Sequence, residues 1–274
     1  MALNTAESLL AVCVVGLACF IGGQTVGMRR ATARHVAAGA IADRLSVDSA
    51  ETGSSNGEAG AADFRTANPE MVVSSATTTS AMPSLSPQEM RRRVDALSAG
   101  TYLPELIRAR DSATVRWPDR TTRPLRVWIA EDAQLVGWTP DYLPAVRDAF
   151  DTWAQTGIPV RFTFVIDSAS ADVHVRFTER FDNGISGKTI WSRDSAWWLV
   201  SSDIQLALAH PGGGSVTPPQ IRAIALHEVG HLLGLDHSSA AENIMSARIR
   251  VRDLTEPDRA TVRLLYSIPA GSLR

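Results

Sequence analysis

The sequence predicts an α+β domain in its C-terminal part, preceded by an apolar segment and a polar linker. Three observations predict this organisation: runs of alternating apolar and polar residues, two stretches with helical apolar periodicity, and an uncharged N-terminal stretch. A chain of 274 residues with 45% hydrophobic content is long enough for one substantial core. Its net charge of −2 argues against a nucleic-acid partner.

The N-terminal residues 8–28 carry no charged side chain. At about 1.5 Å per residue, a helix of this length matches a hydrocarbon layer of about 30 Å. We predict that residues 1–30 hold an uncleaved single-pass membrane anchor; a cleaved signal peptide, giving a secreted protein, is the alternative. Arg29, Arg30 and Arg34 follow the apolar run, and the positive-inside rule would keep them in the cytoplasm.

Residues 31–85 are predicted to be a disordered linker, because small and polar residues dominate and few large apolar groups could offset the ordering entropy. Ser86 and Glu89 then have the spacing of a capping box, which starts a short helical segment over residues 86–111. We interpret this segment as a spacer, with packing on the following domain as the alternative. Its apolar face would carry Met90, Val94 and Leu97.

The predicted domain spans residues 112–270 and alternates strands with helices. Residues 125–129 read as a half-buried strand, and Thr139-Pro140 opens a helix that Gly157 ends. Two further strands are predicted from alternating runs, which contain Phe162, Phe164 and Ile166 in the first and Val173, Val175 and Phe177 in the second.

Residues 227–237 read H-E-x-x-H-x-x-G-x-x-H. On an α-helix, residues four apart share one face, so His227 and His231 can direct imidazole nitrogens at one ion. Gly234 is suited to end this helix because glycine adopts the left-handed C-terminal conformation without a steric penalty. The chain can then return His237 to the same ion. Three histidines with one open position are the ligand set of a catalytic zinc ion.

The open position holds water in this interpretation. Zinc lowers the pKa of that water to about 7, and a nearby carboxylate takes its proton as the oxygen attacks a carbonyl. We assign the general-base role to Glu228. Thr217 and Gln220 form a capping box at the helix start, and the metal-binding face is expected to line a cleft. An ordinary amphipathic helix with surface histidines is the alternative explanation of H-E-x-x-H.

The extended motif resembles that of the metzincin clan of zinc endopeptidases. Metzincins carry a methionine turn beneath the metal, and Met245 occupies the matching position; Ser238 and residues 254–258 are similar to the matrixin branch. The resemblance implies a zincin domain with a twisted, mostly parallel five-stranded sheet, two long helices, the Met-turn and a C-terminal helix. It also implies one catalytic Zn²⁺ ion and a protein or peptide substrate.

The resemblance further implies that residues 188–194 form the edge strand above the cleft, on which an extended peptide would lie. Asp182 and Asn183 are the candidate Ca²⁺ ligands, although two oxygens do not make a site and an ordinary loop is preferred. His174 and His210 are interpreted as non-ligands. The secretory habit of the family favours an extracytoplasmic domain, and we prefer this placement to the cytoplasmic one.

Two departures from the matrixin pattern stand out. Cys13 and Cys19 are the two cysteines and both lie in the apolar run, so the thiolate latch of many matrixins has no counterpart. The His- and Asp-rich structural zinc site of animal matrixins is also missing. Residues 246–252 stand where the family usually has a proline and a tyrosine, which changes the pocket beyond the cut bond.

The favoured function is a membrane-tethered zinc metalloendopeptidase. A zinc-stabilised adhesion or scaffold module without catalysis is the alternative from another class, and metal-dependent hydrolysis of a non-peptide amide or ester is a third. Glu228 favours an enzyme, because a site that only binds metal needs the histidines and not the base. The sequence names no physiological substrate and no oligomeric state.

Overall fold

The computed structural model describes residues 64–274 except 79–81, 83 and 111. The predicted membrane anchor and the first part of the predicted linker, up to residue 63, lie outside the described residues. Within the described part of the chain, no helix is both long enough and apolar enough to cross a bilayer.

The elements follow one another in mixed α and β order. The strands are β1 (Phe64–Arg65), β2 (Glu70–Val73), β3 (Ala113–Thr114), β4 (Arg120–Ile129), β5 (Val160–Phe164), β6 (Val173–Thr178), β7 (Gly187–Arg193), β8 (Leu199–Ala207), β9 (Arg248–Ile249) and β10 (Gly271–Ser272). The α-helices are α1 (Pro87–Leu97), α2 (Leu103–Ala109), α3 (Tyr142–Ala154), α4 (Pro218–Leu232) and α5 (Glu256–Ser267).

The main sheet has the strand order β2-β7-β8-β6-β4-β5. β7 runs antiparallel to β8, and the other neighbouring pairs are parallel. The prediction of a mixed, mostly parallel sheet with helices is therefore confirmed. Two small antiparallel pairs, β1 with β9 and β3 with β10, tie the ends of the described chain to the domain.

The number of strands corrects the prediction, because the sheet has six strands rather than five. The sixth is β2, which lies in the segment predicted to be a disordered linker. All four of its side chains are exposed, so no apolar pattern in the sequence indicates it. It is ordered by backbone pairing instead, since the outer edge of β7 offers unpaired amide and carbonyl groups that an extended segment satisfies.

The segment predicted to be a spacer packs on the domain, which corrects the preferred interpretation. Met90 and Val94 of α1 are buried in the core with Leu103 and Leu106 of α2, whereas Leu97 is exposed. The capping box at the start of α1 is confirmed, with Glu89 accepting from the backbone of the N-cap serine. Burial of these four side chains explains why the segment does not stand off as a spacer.

The helices α3 and α4 pack against each other beneath the sheet. Two buried indoles fix the position of α4, since Trp153 Nε1 donates to Leu226 O at 2.7 Å and Trp117 Nε1 donates to Leu232 O at 2.8 Å. Each indole thereby buries a large apolar surface while its N–H finds a partner. The metal-motif helix is held rigidly by the core on which it lies.

The strand predictions hold for their inward faces. Val173, Val175 and Phe177 are buried as predicted. In the neighbouring run, Phe162 and Phe164 are half-buried against Phe150. Ile166 was predicted to continue this apolar face but is 96% exposed, because β5 ends two residues earlier at Phe164.

Candidate metal centre

The helix α4 begins and ends where the sequence predicts. Thr217 N donates to Gln220 Oε1 at 2.8 Å, which confirms the capping box. After Leu232 the chain turns at Gly234, whose φ is +98°. A Cβ at this position would lie 2.0 Å from Val115 O, so both the conformation and the close approach require glycine.

Three imidazoles converge at this end of the helix. His227 Nε2 and His231 Nε2 are 2.9 Å apart, and His231 Nε2 lies 3.3 Å from His237 Nε2. Among the described residues, these three side chains form the group with metal-ligand geometry. The turn at Gly234 therefore brings His237 back to the other two histidines, as the motif predicts.

The hydrogen bonds of the Nδ1 atoms determine the protonation of the Nε2 atoms in His227 and His231. His227 Nδ1 lies 2.7 Å from Ile244 O, and His231 Nδ1 lies 3.0 Å from Leu235 O. A carbonyl oxygen only accepts, so both Nδ1 atoms are assigned a proton and both Nε2 atoms keep a lone pair. Lone pairs facing each other at such short distances repel unless a cation lies between them. The residues present therefore fit a zinc ion.

The electrostatics of the histidines favour the same state. Burial lowers the pKa of His227 and of His231 well below the ordinary value, and the neighbouring imidazoles lower it further. Burial also lowers the pKa of His237, which Asp236 partly opposes. All three rings are thus neutral at physiological pH, and the neutral ring is the form that binds a metal ion.

Glu228 is fully buried beside the histidines. Its Oε2 accepts a hydrogen bond of 2.6 Å from the Thr189 hydroxyl on β7. Burial raises its pKa to about 8, and the hydrogen bond from Thr189 lowers it. Its Oε1 has no hydrogen-bond partner, and a Cβ on Gly187 would lie 2.3 Å from it. A carboxylate with one oxygen fixed and the other free can accept a proton.

The turn that carries His237 is held by a buried arginine that the sequence analysis did not identify. Arg110 Nη1 donates to Gly234 O at 2.7 Å, and its Nη2 lies 3.3 Å from Asp236 Oδ2. Asp236 Oδ1 in turn accepts from His237 N at 2.8 Å. No motif marks Arg110, because it acts through carbonyls distant in sequence. The predicted spacer therefore supplies a group that supports the metal centre.

Met245 lies beneath the helix, fully buried, where a methionine turn is expected. A Cβ on Gly230 would come within 2.2 Å of its sulfur, so helix and turn touch at a glycine. Asp258 Oδ2 on α5 accepts from Ile244 N at 3.0 Å, and its Oδ1 accepts from the Tyr102 hydroxyl at 2.9 Å. Asp258 is a second supporting residue that the sequence analysis did not single out.

The remaining polar candidates are placed apart from the three histidines. His174 Nε2 lies 2.9 Å from Ser168 O, and His210 stacks on Phe64 with ring centroids 5.2 Å apart. Asp182 and Asn183 are exposed in a turn, as the loop interpretation expects.

The metal-binding face does not line an open cleft, which corrects that expectation. Residues 223–235 are buried without interruption, and the segment from β1 to β2 contacts the histidines from the side opposite the core. Thr66, between these strands, places its Oγ1 2.8 Å from His227 Nε2 and 3.1 Å from His237 Nε2. No sequence signal indicates this position, since Thr66 lies in a polar stretch without a motif.

Comparison with known proteins agrees with this geometry. The sequence model of the matrixin family matches residues 180–267, which include the three histidines and Met245. Metalloendoproteinase 1-MMP of Arabidopsis thaliana is 33% identical over 155 residues, which are 49% of this chain and 40% of that protein. Metalloendoproteinase 2-MMP of the same plant is 32% identical over 140 residues, 43% of this chain and 35% of that protein.

Matrix metalloproteinase-15 of Homo sapiens is 26% identical over 167 residues, which are 50% of this chain and 23% of that protein. The chain thus spans less than half the length of these curated relatives. The residues matched by the family model hold the metal motif, the Met-turn and the C-terminal helix. Together with the converging histidines, these matches support a matrixin-like metzincin domain in this part of the chain.

Proposed function

We propose that the chain is a zinc-dependent endopeptidase that uses Glu228 as its general base. The observation that carries the proposal is the fully buried carboxyl of Glu228, next in sequence to His227, on the helix whose His227 and His231 converge with His237 on one point. A site that only stabilises the fold through a metal has no use for this carboxyl, whose burial costs free energy. The relatives' names, metalloendoproteinase and matrix metalloproteinase, support the same activity.

Zinc bound by the three histidines would polarise the substrate carbonyl and lower the pKa of a water molecule. The Thr189 hydroxyl holds Glu228 Oε2, so Oε1 is the atom left to receive the proton of the attacking water. A pKa raised by burial makes Glu228 a stronger base than an exposed glutamate, and able to pass the proton to the leaving amine. Arg110 and Asp236 keep the third histidine in place during this exchange.

The substrate in this proposal is an extended polypeptide. The outer edge of β7 accepts a strand, because β2 of the same chain pairs there through its backbone. Backbone pairing selects the extended conformation rather than a particular side chain, which suits a peptide and not a small ester. An extended polypeptide substrate is therefore favoured over a non-peptide amide or ester.

The test compares zinc-loaded full-length Thr66→Val protein, which lacks the hydroxyl placed against the histidines, with the same protein carrying Glu228→Gln, on a peptide library with and without a zinc chelator. We expect equal zinc content and a loss in kcat of about 10² to 10⁴ on adding Glu228→Gln. Glu242→Gln in the same background changes an exposed glutamate, is the matched control and should leave cleavage unchanged. Undiminished cleavage by Glu228→Gln would end the assignment and leave the non-catalytic module as the better explanation.

We also propose that residues 8–28 anchor the protein in a membrane with the catalytic domain outside the cytoplasm. The uncharged run in the sequence supports the anchor, and the matrixin family supports the placement. A reporter that is active only outside the cytoplasm, fused after residue 110, tests the orientation. An inactive reporter, with the fusion protein present in the membrane fraction, contradicts it.

A further inference from the structure

The segment from Phe64 to Thr78, which we call the strap, runs across the metal centre. Its first strand, β1, pairs antiparallel with β9, and its second strand, β2, pairs parallel with β7. Between them, Ala67 N donates to Gly187 O at 3.4 Å and Thr66 N donates to Ala247 O at 3.1 Å. The strap therefore bridges the two walls on either side of the three histidines.

Thr66 is the strap residue that faces the metal centre. Its Oγ1 lies 2.8 Å from His227 Nε2, 3.1 Å from His237 Nε2 and 3.4 Å from Ala247 O. The hydroxyl proton can be donated to Ala247 O, which leaves the lone pairs of Oγ1 directed at the imidazole nitrogens. A lone pair of Oγ1 and the lone pair of His227 Nε2 repel each other at 2.8 Å unless a cation lies between them. The hydroxyl oxygen thus completes a ring of donors around the position that zinc would take.

We propose that Thr66 supplies the fourth ligand to the metal held by the three histidines, and that the strap thereby keeps substrate out of the cleft. The claim that the strap inhibits the protein rests on the proposed function. The claim that Thr66 is a metal ligand concerns the metal site alone. The hydroxyl takes the position that a substrate carbonyl or an attacking water would need, and β2 takes the edge of β7 that a substrate strand would need.

The strap also avoids being cut by the site that it covers. The carbonyl of the Arg65–Thr66 peptide bond accepts from Ser186 N at 2.7 Å and is held away from the histidines. What reaches the metal centre is a side-chain oxygen without a scissile bond. The hydroxyl can bind as a ligand, while the Arg65 carbonyl is engaged by Ser186.

Contacts on both sides of Thr66 hold the strap in place. Phe64 is 4% exposed and belongs to the hydrophobic core together with Ala223 and with Ile249, its partner in the β1–β9 pair. At the other end, Glu70 Oε1 lies 2.8 Å from Lys188 Nζ and Thr78 N donates to Asp194 Oδ2 at 2.8 Å. These contacts raise the local concentration of the Thr66 hydroxyl at the metal, which compensates for the weakness of a neutral hydroxyl as a ligand.

The test uses the full-length chain with Co²⁺ in place of zinc, because the visible absorption of Co²⁺ reports its ligands without any turnover. Thr66→Val removes the hydroxyl at nearly constant size, Thr66→Ser keeps it, and Thr77→Val changes an exposed threonine of the same strap. We expect a changed Co²⁺ spectrum in Thr66→Val alone. Acetohydroxamate, a small metal-binding probe, should bind that variant at least about tenfold more tightly, because its competitor is gone.

Spectra and acetohydroxamate affinities that are the same in wild type and Thr66→Val would overturn the inference. If Thr66→Val does not fold, Glu70→Lys, which faces Lys188 with a like charge, must raise the acetohydroxamate affinity in its place, and an unchanged affinity overturns the inference equally. The proposed function fails separately: a zinc-loaded Thr66→Val chain with the altered Co²⁺ spectrum but no peptide cleavage supports the ligand and refutes the peptidase.

Discussion

The Thr189 hydroxyl donates a hydrogen bond of 2.6 Å to Glu228 Oε2, which joins β7 to the candidate base. The same hydroxyl lies 3.1 Å from Glu228 O, so the threonine contacts both the side chain and the helix backbone. The hydrogen bond stabilises the charged carboxylate and so lowers the pKa of Glu228, against the larger effect of burial. Thr189 therefore acts on the protonation of the base.

Thr189→Val should shift the pH dependence of catalysis upward. Without this hydrogen bond the pKa of Glu228 rises, so a smaller fraction is ionised at pH 7 and the acidic limb of kcat/KM moves to higher pH. A hydrogen bond contributing about 1 kcal/mol corresponds to a shift of somewhat under one pH unit. Thr189→Ser, which keeps the hydroxyl, is the control; an acidic limb that stays in place in Thr189→Val would contradict this role.

Glu228→Gln should stabilise the metal-free protein at high pH and leave it unchanged at low pH. Burial raises the pKa of Glu228 from 4.5 to about 8 in the folded chain. Between these values the folded chain holds a proton that the unfolded chain has released, so the free energy of unfolding falls as pH rises. The free energy of unfolding of the variant does not fall in this way, because glutamine has no proton to release. The histidines contribute equally to both proteins, so they do not affect the difference between the two free energies.

Urea unfolding in the presence of a chelator measures this difference. The free energies of the two proteins should agree below pH 4.5, and the variant should become more stable as pH rises toward 8. Glu242→Gln should show no such trend, because Glu242 is exposed. A difference between Glu228→Gln and wild type that does not change with pH would show that the buried carboxyl is not protonated in the folded state.

Arg110→Met should weaken zinc binding without removing a ligand. The arginine holds Gly234 O and Asp236, and these orient the turn that carries His237. Losing such outer support typically costs about 10 to 100-fold in metal affinity. Competition with a coloured chelator measures the affinity. Arg108→Met, two residues away and exposed, is the matched control. Equal zinc affinities in the two variants would show that Arg110 does not support the site.

Gly230→Ala should destabilise the protein. The new methyl group would meet the Met245 sulfur at 2.2 Å and a ring carbon of Trp153 at 3.1 Å, and both side chains are fully buried. Overpacking of this kind costs about 1–3 kcal/mol. Thermal unfolding checks it against Gly212→Ala, where a methyl group meets nothing within 4 Å. Equal melting temperatures for the two variants would show that the Met-turn moves to make room for the methyl group.

The metal motif could be predicted from the sequence because its geometry is local. The spacing of His227 and His231 follows from the helical repeat, and the return of His237 follows from the glycine that ends the helix. The buried face of the strand with Val173 and Val175 was predictable for the same reason. Alternating apolar residues are a local pattern, and they point to the same, buried face of the strand.

The strap and the supporting residues could not be predicted, because their partners are distant in sequence. β2 has four exposed side chains and is ordered by backbone groups of β7, which no pattern in residues 70–73 records. Thr66 and Arg110 make ordinary polar contacts with residues more than a hundred positions away. Their roles depend on tertiary placement alone, so the segments that contain them read as linker and spacer.

The strap belongs to the same polypeptide as the cleft that it covers, and it continues into α1. A tethered segment of this length keeps its local concentration on the order of millimolar, whatever the concentration of the protein. Dilution should therefore leave the chain closed. A single cut between the strap and α1 would turn the strap into a separable peptide, which is lost when the sample is diluted far below its dissociation constant.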